Sequence, residues 1–226
     1  MTKNPVFLFI TVVLSFSLTS LGRGDSFART LRNFRDTPRS GGSQPVDENQ
    51  AERLRRVMLP LLRATDHHRD LSQVRVRIVN DPRINAASGG NGEFYVTTGL
   101  LSRATDDELR GVLAHEIAHD DLGHPARAQM LGVGLSLGAA LLQRVFPASG
   151  ALAPLAGTLI ANNYSQPQEY EADRHGVEIL RRAGYSKETM INSLTWVMHA
   201  EGNSGGGFLS SHPATKDRIQ ALRQLP

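Results

Sequence analysis

Cysteine is absent from this chain of 226 residues. Disulfide bonds, thiolate metal sites and lipid attachment to an N-terminal cysteine are therefore excluded. Aromatic residues make up only 6% of the sequence, and the formal net charge is only +3, with the basic residues dispersed. Because nucleic-acid binding depends on clustered basic residues and often on aromatic stacking, nucleic acid is not an expected partner. The length suits one well-buried domain, without room for a second large one.

Uninterrupted apolar stretches of membrane-spanning length are also missing. The run over residues 6–21 is short, is interrupted by serine and threonine, and ends at small residues before an arginine. This pattern favours a signal peptide over residues 1–22, cleaved near Gly22, rather than a retained anchor, and it predicts export to the periplasm. Residues 23–45 are rich in Arg, Ser, Gly and Asp and are predicted to form a flexible leader. Residues 46–226 then form the folded domain.

The sequence does contain a His-Glu-x-x-His pattern at His115, Glu116 and His119. Residues four apart on an α-helix lie roughly 40° apart around the axis and about 6 Å along it, so both imidazoles can bind one metal ion. Glu116 projects from the same side, beside the metal but not bound to it, where a general base for metal-assisted hydrolysis is needed. The alternative is a pair of hydrogen-bonded histidines in the core.

The neighbouring residues predict that this pattern lies well inside a helix. Thr105 and Glu108 form a capping box at its start. On a helical wheel, the two histidines and the glutamate fall within or beside an apolar arc, whereas Arg110 and Asp120 fall outside it. Polar groups on a buried face are costly unless something pairs them, and a bound cation would do so. The members of the arc are Leu109, Val112, Leu113 and Ile117.

A second helix is predicted over residues 167–182, with a proline in its first turn and Gly184 after its end. Glu169 and Asp173, four residues apart, fall on its inward arc. Since a hydrolytic zinc site usually has three protein ligands, we predict that Glu169 is the third ligand. Asp173 is predicted to accept a hydrogen bond from a ligand histidine and so orient it. Alternatively, the helix is rotated and both carboxylates face water.

These residues resemble a known family. The two motifs are similar to those of the gluzincin metallopeptidases of the HtpX and CAAX-prenyl-protease-1 type, and the likeness runs roughly from residue 47 to residue 225. It is closest to the compact, exported, periplasmic BepA-like members without a repeat domain. Four ordered segments carry the resemblance: residues 115–119, residues 169–173, residues 85–86 with 94–101, and the His-Pro segment at residues 211–219.

The resemblance implies an α+β fold, a mainly helical zincin-type domain with a small β-sheet whose edge strand borders the active site. It also implies one Zn²⁺ per chain, although imidazole and carboxylate ligands suit several divalent metals. Substrates would be unfolded or misassembled envelope proteins. In the multi-span members, the region corresponding to residues 130–161 lies in the bilayer, so this segment either contacts a membrane surface or forms two small-residue helices on the core.

Two strands are predicted from alternation, over residues 74–78 and 93–98, after an amphipathic helix over residues 47–65 that Pro60 is expected to kink. If the second strand lies at the sheet edge, an extended substrate can add to it by main-chain hydrogen bonds. The alternative is an ordinary internal strand. The substrate-binding residues predicted on this basis are Glu93, Phe94, Tyr95, Val96 and Thr97.

His212 matches a histidine of the family that can approach the metal, and two roles are open for it. It would either donate a hydrogen bond to the developing oxyanion or occupy the position of the attacking water and close the site. The other five histidines are interpreted as structural or exposed: His67, His68, His124, His175 and His199.

The sequence thus predicts an exported zinc endopeptidase that uses His115, His119 and Glu169 as ligands and Glu116 as general base. A zinc-bound binding or chaperone-like module, catalytically silent because His212 closes the site, is the alternative.

Overall fold

The computed structural model describes residues 14–15, 47–130, 164–202, 207–213 and 216–226, without the side chains of residues 14–15 and 128–130. The predicted leader and the segment 131–161 lie outside the described residues, as does the predicted signal peptide apart from residues 14–15. These three predictions therefore stay predictions. Within the described part of the chain, no helix combines the length and the apolar character that crossing a membrane requires.

The described part of the chain forms a small sheet and a set of helices. The strands are β1 (Leu14–Ser15), β2 (Arg75–Val79), β3 (Ala86–Gly90) and β4 (Glu93–Thr97). The helices are α1 (Glu48–Leu62), α2 (Thr98–Arg103), α3 (Asp106–Asp121), α4 (His124–Met130), α5 (Gln166–Arg182), α6 (Lys187–Glu201), α7 (Phe208–Ser211) and α8 (Lys216–Gln224), and a 3₁₀ turn spans Leu71–Gln73. The predicted α+β class, mainly helical with a small sheet, is confirmed.

The sheet has the strand order β1-β2-β4-β3. β2 and β4 are parallel, with Val76 opposite Phe94, whereas β3 and β4 are antiparallel, with Ala86 opposite Val96. β4 is therefore internal, and the prediction that Glu93–Thr97 forms the edge strand is wrong. The edge strand beside α3 is β3. Alternation did not indicate it, because its Ala-Ala-Ser-Gly-Gly sequence has low β propensity.

α3 is the central helix of the domain. The predicted capping box is confirmed: Thr105 Oγ1 accepts from the Glu108 N–H, and Glu108 Oε2 accepts from the Thr105 N–H. The helix packs against β3, α1, α5 and α6. At Gly111 a Cβ atom would lie 2.3 Å from Ser193 Cβ, so glycine allows α6 to approach this closely.

Because α3 is enclosed on several sides, almost every residue from Leu109 to Asp120 is buried. The apolar residues of this stretch belong to one core with side chains from α1, α5, α6 and the sheet. His115, Glu116 and His119 are buried in the same helix. Burying such groups without partners costs several kcal/mol each, roughly 2–7 for a neutral polar group, so their surroundings indicate what they do.

Candidate metal centre

Four side chains from three separate segments of the sequence converge beside the middle of α3. The ligand atoms of His115, His119, Glu169 and His212 all lie within 4.8 Å of one another, and all four residues are buried. His119 Nε2 is 3.0 Å from His115 Nε2, and His212 Nδ1 is 3.0 Å from Glu169 Oε1. We call these four residues the central cluster. The structure thus brings the three predicted ligands together, and it adds His212 to them.

The packing of α5 on α3 places Glu169 opposite the two α3 histidines. Gly176 lies at this contact, where a Cβ atom would be 2.5 Å from Met190 Cε and 3.3 Å from the Ala114 carbonyl oxygen. Only glycine lets the two helices approach so closely without a shift. The predicted orientation of α5 is therefore the observed one: Glu169 and Asp173 face inward and are buried.

Glu116 lies next to the central cluster but is held from the other side. The Ser88 N–H of β3 donates to Glu116 Oε2 at 2.8 Å. The second oxygen, Oε1, is buried and accepts no hydrogen bond among the described residues, although His212 Nε2 is 3.2 Å away. Burial raises the pKa of Glu116 above its ordinary value, against the influence of His212 and His115. One oxygen is thus fixed while the other faces the cluster.

His115 is supported from behind by a buried ion pair. Its Nδ1 lies 3.1 Å from Asp173 Oδ1, and Arg218 donates to both oxygens of Asp173, at 2.8 and 2.7 Å. Arg218 Nη1 also lies 2.5 Å from Glu169 Oε2. Burial by itself would raise the pKa of Asp173, but the contacts with Arg218 outweigh it and lower that pKa. Asp173 is therefore an anion in contact with Nδ1 of His115, and its role in orienting this histidine stays a prediction.

Arg218 is a buried neighbour of the site that the sequence reasoning did not single out, although it lies in the His-Pro segment on which the family resemblance rests. Besides binding Asp173, it donates to the Pro213 carbonyl oxygen at 3.0 Å. It therefore ties the backbone next to His212 to α5. A fully buried arginine inside a motif would have been the only signal, and burial is not visible in a sequence.

His119 has a different support. Its Nδ1 lies 2.9 Å from Nδ1 of His124, whose Nε2 lies 3.2 Å from Glu171 Oε2. Tyr164 stacks on the His119 ring at a centroid distance of 3.7 Å. Burial lowers the pKa of both His119 and His124, which favours neutral rings. Sequence reasoning missed this partner, and the signal available was a histidine five positions after His119, beyond a glycine turn.

The central cluster favours a cation. Burial alone would raise the pKa of Glu169, but the nearby His212 and the hydrogen bonds of His115 and His119 outweigh it, so Glu169 stays ionised. Burial lowers the pKa of His115, and the contacts with Asp173 and Glu169 overcome this and raise it to about 9. Histidine binds a metal ion in its neutral form, so metal binding here would release any proton that His115 carries.

Asp120 fixes the β3–β4 turn to the same helix. Its carboxylate accepts from the Gly92 N–H, from Ser88 Oγ and from Arg69 Nη2, each at 3.2 Å. Asp120 falls outside the apolar arc of the helical wheel, yet it is buried because the β3–β4 turn covers that side of the helix. Asn91 and Gly92 have positive φ angles of 54° and 79°, which allow the turn to close over Asp120. The edge strand is thereby held beside Glu116.

A second group combines the last residue of α3, a residue of α5 and a residue of the loop after α1. Asp66, Asp121 and His175 also bring ligand atoms within 4.8 Å of one another, and we call them the outer cluster. Its polar atoms are partnered: Asp121 accepts from the Asp66 and His67 N–H groups, and His175 Nε2 lies 2.7 Å from Asp121 Oδ2. Asp66 is half-exposed and pairs with Arg182. This cluster is complete as a hydrogen-bonded anchor.

The central cluster fits a metal ion on its own chemistry. Two imidazole nitrogens and one carboxylate oxygen are the donor set that zinc accepts in hydrolytic sites, where a fourth position stays open. Glu116 Oε1 is buried without a hydrogen bond in the described part of the chain, which is costly unless a cation is near. Glu169 Oε2 lies against the Arg218 guanidinium, while Glu169 Oε1 faces His119 and His212 of the cluster. The outer cluster offers no such orphaned oxygen.

Known proteins support the same assignment. The chain is 29% identical over 150 residues to the metalloprotease LoiP of Escherichia coli, a match that covers 62% of this chain and 58% of that protein. It is 22% identical over 207 residues to the metalloprotease YcaL of Escherichia coli, covering 88% and 80%. It is 31% identical over 257 residues to a protease HtpX homolog of Burkholderia multivorans, covering 96% and 87%.

The match to LoiP spans less than two thirds of that protein, whereas the other two extend over most of both chains. Residues 48–225 match the family described as Peptidase family M48. The predicted resemblance is confirmed over nearly the whole described domain. The chain therefore belongs to Peptidase family M48 and is a metallopeptidase, a metal-dependent and typically zinc-dependent hydrolase of protein substrates.

Proposed function

We propose that the chain is a zinc endopeptidase in which His115, His119 and Glu169 hold one metal ion and Glu116 is the general base. The observation that carries this proposal is the convergence of four buried ligand groups beside a buried glutamate whose inner oxygen has no hydrogen bond. The donor set supports zinc, and the buried position keeps bulk water from competing with it.

A zinc ion held by these residues would act as a Lewis acid and make a water molecule more acidic. Glu116 would take a proton from the attacking water and later pass it to the leaving amine. Burial raises the pKa of Glu116 above its ordinary value, which favours holding the proton between these two transfers. The Ser88 N–H keeps the carboxylate from rotating away.

The substrate would add to β3. Main-chain groups of an edge strand can bind an extended peptide, and β3 is the strand that borders α3. Because Ser88 of this strand donates to Glu116, a peptide paired with β3 would lie close to the general base. Glu93–Thr97, the strand predicted for this role, pairs with β2 and β3 and is buried from Phe94 onward, so its main chain is not free to bind a substrate.

The physiological role we propose is the removal of unfolded or misassembled proteins of the cell envelope. It rests on the predicted signal peptide at residues 1–22, cleaved near Gly22, and on binding through main-chain groups, which selects extended chains over particular sequences. A membrane-surface contact through residues 130–161 is part of this proposal. Nucleic acid has no part in it.

The test is cleavage of unfolded casein by the purified full chain, with Glu116→Gln as the critical variant. We expect the unmodified chain to cleave casein and to stop with chelator. Glu116→Gln should bind one zinc ion per chain and lose at least about 100-fold in rate, the usual contribution of general base catalysis. Glu52→Gln, the same change at an exposed residue of α1, is the control and should retain activity. Undiminished cleavage by Glu116→Gln would contradict the proposal.

One observation favours the second candidate, a zinc-bound module that His212 keeps closed. His212 is buried, and its Nδ1 is 3.2 Å from His115 Nε2, within the central cluster. Phe208 stacks on its ring at a centroid distance of 4.6 Å and holds it there. In this arrangement the ligand atoms of His212 lie within 4.8 Å of those of the three proposed ligands, so His212 could also contact the metal.

Substitution of His212 separates these roles. We expect His212→Ala to change the rate of casein cleavage and to leave one zinc per chain, measured by metal analysis. A rise in rate indicates that His212 closes the site, and a fall indicates that it donates to the oxyanion. Loss of zinc would instead make His212 a required ligand.

A further inference from the structure

His124 is a fully buried histidine that lies outside the central cluster but touches it. It follows a tight turn at Gly123, where φ is +69°, a conformation that favours glycine. This turn brings the chain back so that His124 Nδ1 lies 2.9 Å from His119 Nδ1. The opposite ring nitrogen, Nε2, lies 3.2 Å from Glu171 Oε2 on α5.

The order of these contacts determines where the protons are. A neutral imidazole has one N–H donor and one nitrogen lone pair. For the two facing Nδ1 atoms to form a hydrogen bond, one of them must carry the hydrogen and the other must accept it. His119 turns its Nε2 towards Glu169 and His115, at 3.4 and 3.0 Å. A metal on this Nε2 needs its lone pair, so the His119 hydrogen has to be on Nδ1.

The positions of the other ring hydrogens follow from the hydrogen on His119 Nδ1. If His119 Nδ1–H donates, His124 Nδ1 accepts, and the hydrogen of His124 is on Nε2, where it donates to Glu171. If the direction were reversed, the hydrogen of His119 would be on Nε2 and would block the metal. A carboxylate at the end of the chain favours the first direction, since Glu171 can only accept when ionised.

We propose that His124 is a positioning residue that holds His119 in its Nδ1–H tautomer, with Glu171 holding the tautomer of His124. The inference rests on the proposed function, because it takes His119 to be a metal ligand. The two α3 histidines would then be oriented in different ways. His115 contacts the buried carboxylate of Asp173 directly, whereas His119 is linked to the partly exposed carboxylate of Glu171 through the imidazole of His124.

Two substitutions at one position test whether the acceptor matters. In His124→Asn the side-chain oxygen can occupy the place of Nδ1 and accept from His119, whereas His124→Leu fills similar space without an acceptor. Zinc affinity of each full-length variant is measured by competition with a chromophoric chelator, and circular dichroism verifies folding. We expect a loss of about 10–100-fold for His124→Leu and less than about 3-fold for His124→Asn. Unchanged affinity in His124→Leu, or an equal loss in both, would overturn the proposal.

A second measurement needs no variant. Long-range ¹H–¹⁵N NMR of the zinc-loaded chain reports which ring nitrogen of each histidine is protonated. We expect a hydrogen on His119 Nδ1 and on His124 Nε2. A hydrogen on His124 Nδ1 would show that His124 donates to His119, and this alone would overturn the proposal even if the leucine variant did not fold.

Failure of the proposed function would look different. A full chain that binds no zinc, or a His119→Ala variant that binds it as tightly as the unmodified chain, removes His119 as a ligand and contradicts both. If zinc affinity falls in His119→Ala but is unchanged in His124→Leu, only the positioning role of His124 is contradicted.

Discussion

The central and outer clusters both combine histidine and carboxylate side chains and both include residues of α3 and α5, yet they differ in how their polar atoms are paired. Beside the central cluster, Glu116 Oε1 is buried without a hydrogen bond among the described residues. In the outer cluster Asp121 accepts from two backbone N–H groups and lies 2.7 Å from His175 Nε2. A buried carboxylate oxygen without a donor indicates a site that suits a cation, whereas a saturated carboxylate indicates an anchor.

The clusters also differ in the exposure of the arginine that lies against each of them. The side chain of Arg218 is 1% exposed and lies against Asp173 and Glu169. The side chain of Arg182 is 45% exposed and pairs with Asp66, itself 51% exposed. A buried pair loses far more when one partner is removed than an exposed pair does. Substituting matched residues next to the two clusters therefore measures how differently they are buried.

The change expected to matter most is Arg218→Met, which acts on stability. It removes the guanidinium from two buried carboxylates, Asp173 and Glu169, so the free energy of unfolding of the metal-free chain should fall by about 3–5 kcal/mol. Arg182→Met, the matched change in the outer cluster, should cost less than about 1 kcal/mol. Urea denaturation of the two variants measures the difference. Equal losses would mean that the two clusters are equally exposed to water in solution.

The next effect is on zinc affinity, from Glu169→Ala. Removing a ligand should weaken zinc binding by more than about 100-fold, beyond what the loss of an outer partner causes. Asp121→Ala, the matched change in the outer cluster, should leave zinc affinity within about 3-fold, since hydrogen-bonded anchors bind no metal. Competition with a chelator measures both. If Asp121→Ala loses zinc and Glu169→Ala keeps it, the assignment of the two clusters is reversed.

The smallest effect depends on pH and comes from His175→Gln. The hydrogen bond with Asp121 raises the pKa of His175 above its ordinary value of 6.5, despite burial. The charged form is thus favoured in the folded state, and its contribution is complete below about pH 6.5 and disappears as pH rises through the raised pKa. The free energy of unfolding of the unmodified chain should be about 1.5 kcal/mol larger than that of His175→Gln near pH 5.5, and the difference should be smaller near pH 9. Urea denaturation at the two pH values measures it. A difference independent of pH would show that His175 is neutral.

Much of the site was predictable because helical periodicity is local. The spacing of His115, Glu116 and His119 places them on one face of any α-helix, and the Thr105 capping box specifies where that helix begins. The same periodicity placed Glu169 and Asp173 inward on α5. Their positions in the structure agree with this reasoning.

The partners of these residues were not predictable in the same way. Arg218 is 45 residues from Asp173, and His212 is 97 residues from His115. Such contacts depend on how the helices pack, and no local pattern encodes that. The edge strand was missed for a related reason: β3 is held by pairing with β4 and by Asp120, not by residues that favour strands on their own.

Residue type and short spacing were enough to identify the His-Glu-x-x-His motif, its helix, the helix of Glu169, the absence of thiolate chemistry and the family resemblance. Helix and strand packing was needed to identify the edge strand among the described strands, the cluster that lies beside a buried oxygen without a hydrogen bond, and the residues that contact His115 and His119. A buried polar atom is costly or satisfied according to its neighbours in space, and packing sets those neighbours.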